Sequence, residues 1–389
     1  MLSKKRILFL TDFSPNENGY AGPQTAYNFI KLFVENECLL LINASYHKEI
    51  IPNQEWIKNK DYVLFNYIFH YRINSRLNKI LSFIGSVINP RFFYFRRTLI
   101  KRLKMFNPDS IICITNSAYI YKAASVLKMK IPNVKLFFYI MDDYKHYEKP
   151  YLQKSIDKIL SKSSGWFSIS APMVNLFHEK YPSLTHKPSM IIQNPVNLSG
   201  FKRKQNKNSP GKVTLVYAGS VYSNHKDSLL NVIDAINNTN CCIELSIYTK
   251  SEFRVYFQNR ESEKVVYKGN LAYKQLLAAL SEYDYGLVVE SFLPQFSNFA
   301  MSSIQTKIND YIFTGCLPVV LGPPYGACVN QIDKNKIGYK ISENTDNAIC
   351  NFFNSLRNDE NYITYVGQAQ TYLVNTLRDS YMAAAKFIS

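Results

Sequence analysis

Lys307 and Asp310 lie three residues apart in the stretch Ser302-Ser303-Ile304-Gln305-Thr306-Lys307-Ile308-Asn309-Asp310. On a helix that spacing puts an ammonium and a carboxylate on one face. Ser302 and Ser303 stand where an N-cap and first turn belong, and Gly315 closes the helix ahead of an apolar strand. A helix N-terminus with hydroxyls and a lysine suits a diphosphate, and a carboxylate one turn further on suits a ribose diol. The alternative is a simple surface ion pair. Two other places have the same chemistry. The run Leu215-Val216-Tyr217-Ala218-Gly219-Ser220 ends a strand, and Lys226 follows at the start of a helix. A glycine there lets backbone amides and Lys226 meet a phosphate together, whereas a surface lysine on a turn is the plainer reading. In the loop from Asp12 to Pro23, Gly19 and Gly22 precede a helix, but their spacing is not that of a dinucleotide fingerprint. An ordinary connecting loop would look the same.

A catalytic group is harder to place. The strand Val134–Met141 ends in Asp142-Asp143-Tyr144-Lys145-His146, a polar cluster at a carboxyl strand end. Asp142, Asp143 or His146 could serve as general base for an acceptor hydroxyl or hold substrate hydroxyls. Asp143 could equally cap the next helix.

The elements that must carry these groups alternate. In the first half, strands are predicted at 6–11, 38–42, 62–65, 110–115, 134–141, 166–170 and 190–193, with helices between them at 23–34, 92–105, 118–128, 152–161 and 172–180. Continuous apolar runs bounded by polar turns point to strands buried on both faces, hence a parallel sheet. The polar, basic stretch 199–212 reads as a linker. A second alternation follows, with strands at 213–218, 243–248, 265–267, 285–289 and 318–321 and helices at 228–237, 251–259, 273–282 and 302–314. The expected fold is α/β, two doubly wound Rossmann-like domains facing across a cleft, at 1–198 and 213–360. Residues 361–389 are expected to form a terminal helix, for which packing back on the first domain is one option.

Composition sets the class. Of 389 residues, 47% are hydrophobic and 19% charged, enough apolar material for large cores. The seven cysteines are scattered, odd in number and mostly within apolar strands, as buried thiols in a reducing compartment would be. The basic start Met1–Arg6 runs straight into a short strand, so no secretory signal is read, and no apolar run approaches a membrane span. The formal charge is +17 and is unevenly placed: residues 1–200 hold 27 Lys/Arg against 13 Asp/Glu, and the remainder 19 against 16. No acidic residue occurs between Asp61 and Asp109. Within 69–105, cations from Arg72 to Lys104 alternate with Phe, Ile and Leu, the composition of a segment lying on an anionic membrane. A solvated amphipathic helix would share that composition. No nucleic-acid recognition motif accompanies the charge, so nucleic acid is not an expected partner.

The second half resembles the donor-binding domain of GT-B glycosyltransferases, most closely the retaining group known as glycosyltransferase family 4. The resemblance rests on Tyr217-Ala218-Gly219 with Lys226, on Val266–Asn270 leading into Leu276–Leu280 and Tyr283–Leu287, and on Lys307 with Asp310-Tyr311-Ile312-Phe313-Thr314-Gly315-Cys316-Leu317-Pro318-Val319-Val320. It spans most of 190–341, starting with Ile192–Asn197, and has a weaker echo at 6–34. It implies that Lys226 contacts donor diphosphate and that Asp310 binds the nucleotide ribose, where Glu is commoner. It further implies that Gly19 and Gly22 lie in a loop closing on phosphate and sugar. The sequence departs from the family at Ser302, eight positions before Asp310, where a second Glu is usual. Glu290, at the end of the strand 285–289, is a further candidate catalytic carboxylate outside that spacing, which leaves retaining or inverting transfer open.

The implied activity is transfer of a hexose-type sugar from a nucleoside-diphosphate sugar to a glycan or polyprenyl-linked acceptor, as in surface polysaccharide synthesis. The implied place is the cytoplasm, peripheral on the inner face of the cell membrane. No metal or other cofactor is expected, because positive charge and a helix dipole can stabilise the leaving diphosphate. A nucleotide-sugar epimerase of the same fold and a non-catalytic nucleotide- or sugar-binding protein are the alternatives.

Overall fold

The apolar runs become two parallel sheets. The computed structural model describes residues 5–12, 15–16, 22–33, 36–43, 61–65, 97–115, 117–142, 150–193, 195–196, 213–241 and 243–388. Two units separate, one of residues 1–193 with 380–389 and the other of residues 194–379. The stretch 199–212 expected to link them lies outside the described residues.

In the first unit, strands β1 (Arg6–Thr11), β2 (Glu37–Asn43), β3 (Asp61–Phe65), β4 (Ser110–Thr115), β5 (Lys135–Ile140), β6 (Gly165–Ser168) and β7 (Ser189–Ile191) form one sheet. Its order is β3-β2-β1-β4-β5-β6-β7, with every pair parallel. Every residue of β4 is buried, as a strand covered by helices on both faces must be. The chain end joins this core: Phe387, the last residue of the helix Tyr362–Phe387, lies with its ring 4.9 Å from that of Phe167 and 5.8 Å from that of Phe137.

The second unit has strands β8 (Val213–Ala218), β9 (Ile243–Tyr248), β10 (Val265–Gly269), β11 (Tyr285–Val289), β12 (Leu317–Leu321) and β13 (Tyr339–Ile341). They run parallel in the order β10-β9-β8-β11-β12-β13. The order in which successive strands are added reverses between β1 and β4 in the first sheet and between β8 and β11 in the second. Those are the points where open α/β sheets leave a crevice at their carboxyl ends.

The second unit departs from expectation at several elements, among them the helix read at 251–259, which is a four-residue helix at Ser251–Arg254. The short strand β13 and the helices Ala327–Asn335 and Asp346–Ser355 were not among the predicted elements. The helix after β8 starts at Ser223, not 228, and runs to Asn238. The single helix expected over 302–314 is two: Ser297–Ser302, then a break, then Lys307–Thr314.

Tyr311 fixes that last helix on the sheet. Its ring lies so close to β11 that a Cβ added at Gly286 would stand 2.4 Å from it, so only glycine fits there. Its hydroxyl accepts the Ala218 backbone N–H at 2.9 Å and donates toward the Leu287 carbonyl at 3.2 Å. One phenol thus bridges the two strands flanking the crevice and holds the face that bears Lys307 and Asp310.

Candidate donor site

Lys307 is the first residue of its helix, and its Nζ stands 3.9 Å from the centroid of the Tyr217 ring at the end of β8. The stem is half-exposed, yet Nζ itself is shut off from solvent and has no hydrogen-bond partner among the described residues. An ammonium so placed is costly, and burial pulls its pKa from 10.5 down to about 7. Above it, Gly219 takes φ +127°, a conformation reserved for glycine; a Cβ there would lie 3.4 Å from Nζ. A bare strand end over an unpaired cation is the geometry that an anionic group would complete.

Asp310 follows one turn along the same face. The Tyr273 hydroxyl, from the first residue of the helix Tyr273–Leu280, donates to its Oδ1 at 2.6 Å. Burial pushes the carboxyl pKa up to about 6, against the pull of that hydrogen bond and of Lys307. The two groups do not form a direct salt bridge, so the surface-pair alternative does not describe them.

The helix after β8 presents two neighbouring residues in different directions, as 100° of rotation per residue requires. Lys226 turns outward, and its Nζ sits 4.5 Å over the Tyr256 ring. His225 turns inward toward Phe299, its Nε2 3.2 Å from the Asn224 side-chain nitrogen. Burial and then the Lys307 charge hold its imidazole neutral, with a pKa of about 3. Lys226, expected at the diphosphate, therefore stacks on an aromatic ring; the cation under Gly219 is Lys307.

The expected N-cap at Ser302 and Ser303 is corrected. Ser302 is the last residue of the preceding helix, and its hydroxyl donates back to the Asn298 carbonyl at 2.7 Å. Ser303 is the C-terminal cap of that helix. The helix of Lys307 begins after Thr306, whose side chain makes no capping bond. The reason is local. Asn298 lies four residues before Ser302 and offers the hydroxyl a carbonyl within its own helix, the back-bonding that serines adopt inside helices.

Glu290 follows β11 and is 3% exposed. Its Oε1 accepts the Cys328 N–H at 3.3 Å, at the start of the helix Ala327–Asn335, and its Oε2 lies against the glycines 322 and 326. Burial pushes its pKa up to about 7, with hydrogen bonds from the Cys328 and Val329 backbone acting the other way. It also lines a narrow crevice with Asn224, His225, Phe299 and Gln305. Its carboxyl group therefore ties a strand end to a helix start.

In the first unit, Gly22 opens the helix Gly22–Lys31 and Asp142 lies half-buried just beyond β5. Gly19, Asp143 and His146 lie outside the described residues. A polar pair not singled out in the sequence stands at the β1/β4 reversal: Asp12 accepts a hydrogen bond from the Ser117 hydroxyl, both buried. The helix Arg97–Phe106 turns Leu99 and Leu103 into the core and leaves Lys101, Arg102, Lys104 and Met105 exposed. The rest of the basic segment, 69–96, lies outside the described residues.

Solved structures of this architecture span nearly the whole chain. Anabaena Alr3699/HepE, in complex with UDP, superposes with a TM-score of 0.67 at 12% identity, over 98% of this chain and 100% of that one. This chain adopts the GT-B fold. A glycosyltransferase from Rickettsia africae shares the GT-B architecture with a TM-score of 0.68 at 11% identity, over 99% and 98% of the two chains. A TarM mutant from S. aureus, in complex with Fondaparinux, alpha-GlcNAc-glycerol and UDP, gives 0.67 at 11% over 99% and 100%. No family model matches the chain, and no curated protein does.

Proposed function

We propose that the protein is a glycosyltransferase that moves a hexose-type sugar from a nucleoside-diphosphate sugar to a glycan or lipid-linked acceptor in surface polysaccharide synthesis. The observation that carries this reading is the buried, unpaired Nζ of Lys307 beneath Gly219 at the β8/β11 reversal. A diphosphate is the ligand that would both neutralise that cation and use the open strand end. Asp310, one turn away, is within reach of the sugar ring of the same nucleotide. Neighbours of the same fold solved with UDP make uracil the first nucleobase to try.

As the bond from the sugar to the diphosphate breaks, the departing diphosphate gains negative charge, and Lys307, whose Nζ has no hydrogen-bond partner to lose among the described residues, supplies the compensating charge. Asp142 is the described candidate for holding or deprotonating the acceptor hydroxyl, with Asp143 and His146 beside it in sequence. Attachment to an anionic membrane is part of the proposal. It would run through the exposed cations Lys101, Arg102 and Lys104, since Leu99 and Leu103 of that helix are spent on the core.

The test is incubation with a panel of nucleotide sugars, with and without glycan and polyprenyl-linked acceptors, followed by mass spectrometry of all products. Acceptor-dependent release of the nucleoside diphosphate, with the sugar recovered on the acceptor, is the expected outcome. Epimerised sugar nucleotide, or a nucleotide that binds and is returned unchanged, would overturn transfer.

A further inference from the structure

Asp310 is a carboxylate with an unusual setting. It is half-buried and desolvated enough to be drawn toward neutrality, yet a site that accepts hydrogen bonds from hydroxyls needs it ionised. Among the described residues it has no ion pair, and Lys307 acts on it only at a distance. What meets it directly is the hydroxyl of Tyr273, at 2.6 Å from Oδ1. That hydroxyl comes from a different element, the helix that follows β10, and reaches across to the helix of Lys307. No described residue donates to Oδ2.

The geometry points to Tyr273 as a positioning residue that holds Asp310 ionised and turned so that Oδ2 receives the 2′-hydroxyl of a nucleotide ribose, making the site select ribonucleotides over 2′-deoxyribonucleotides. This rests on the donor-site reading above. The phenol has one proton, and donating it to Oδ1 fixes the carboxylate plane and leaves the second oxygen with both lone pairs free. A ribose hydroxyl then finds an acceptor that is oriented before binding, so little ordering remains to be done. Without the phenol, the carboxylate is free to rotate and more readily protonated; a protonated acid offers its hydrogen where the ligand also offers one. A 2′-deoxynucleotide keeps only its 3′-hydroxyl and so offers the oriented carboxylate one donor fewer, and a site that loses a hydrogen-bonding partner discriminates by that one group.

The experiment is calorimetric titration of the full chain and of Tyr273→Phe with UDP or GDP, whichever binds the wild type, with its 2′-deoxy counterpart, and with inorganic pyrophosphate. The wild type is expected to bind the ribonucleotide about tenfold or more tightly over the deoxynucleotide. In Tyr273→Phe most of that ratio disappears, the deoxynucleotide and pyrophosphate are held within about twofold of wild type, and the acid limb of ribonucleotide binding moves to higher pH. Pyrophosphate binding also shows that the variant retains a folded site. Equal loss for ribo- and deoxynucleotide, or a ratio and pH limb that do not move, overturns the assignment while leaving the donor site standing. A wild type that binds neither nucleotide nor pyrophosphate overturns the donor site, and this assignment with it.

Discussion

Lys307 is the residue at which stability and binding pull apart. Its pKa falls from 10.5 to about 7 because burial disfavours the ammonium. Between those two values the unfolded chain binds a proton that the folded chain does not, so stability rises as pH climbs from 7 toward 10. Replacing Lys307 with Met removes this cost. The variant is expected to melt a few degrees above wild type at pH 6–7 and nearer to it at pH 10, while losing nucleoside-diphosphate binding; thermal melts across that range check it. Binding carries its own proton. A diphosphate beside Nζ restores the charge, so titration with UDP at pH 8 in buffers of different ionisation enthalpy is expected to show net proton uptake that vanishes in Lys307→Met. Affinity should weaken below about pH 6, where Asp310 protonates. These residues were partly legible. Lys307 and Asp310 were found from their spacing, but His225 and Tyr273 were not: a lone histidine beside a lysine and a tyrosine at a helix start carry no spacing signal. Which of His225 and Lys226 faces inward depends on the phase of a helix whose first turn, at Ser223, lies five residues before the predicted start.

At the scale of elements, the helix Lys307–Thr314 is placed by Tyr311 and Gly286 more than by its own caps. Gly286→Ala drives a methyl group into the ring, and a cost of about 1–3 kcal/mol is expected from overpacking alone. Tyr311→Phe keeps the packing but strips the Ala218 N–H of its acceptor, for about 1–3 kcal/mol. Chemical denaturation of both variants checks this, and the Tyr311→Phe site should also bind nucleotide more weakly because Lys307 is held less firmly over Tyr217. Strands such as β4, β8 and β11 were legible to the residue because each is an unbroken apolar run between polar turns. The break between Ser302 and Lys307 was not. Two serines before a helical pattern match an N-cap, and only the carbonyl of Asn298 shows that Ser302 belongs to the helix before it. The helix Ala327–Asn335 was missed because Gly322-Pro323-Pro324 reads as the start of a loop, whereas its first turn is secured from afar by Glu290.

For the whole molecule, the alternation of strands and helices was enough to give two parallel α/β units, since runs buried on both faces admit few other arrangements. The exchange of the chain end into the first core was readable only as a possibility; its anchor is a pair of ring contacts, from Phe387 to Phe137 and Phe167. The uneven charge belongs to this scale too. Anionic vesicles should retain the protein at low salt and release it as salt rises, because exposed cations act through a screened field. Charge reversal at Lys101, Arg102 and Lys104 together is expected to lower the retained fraction severalfold without affecting nucleotide binding; vesicle flotation that the substitutions leave unchanged would remove this helix from the membrane account.

The claim on which the rest depends is that Lys307 receives a nucleoside diphosphate. Calorimetric titration of wild type and Lys307→Ala with UDP and GDP at pH 7 tests it most directly. The expected result is saturable binding of one of them by the wild type, weakened at least about a hundredfold in the variant, as loss of a buried charge-assisted contact implies. Equal affinity in the two proteins would contradict it.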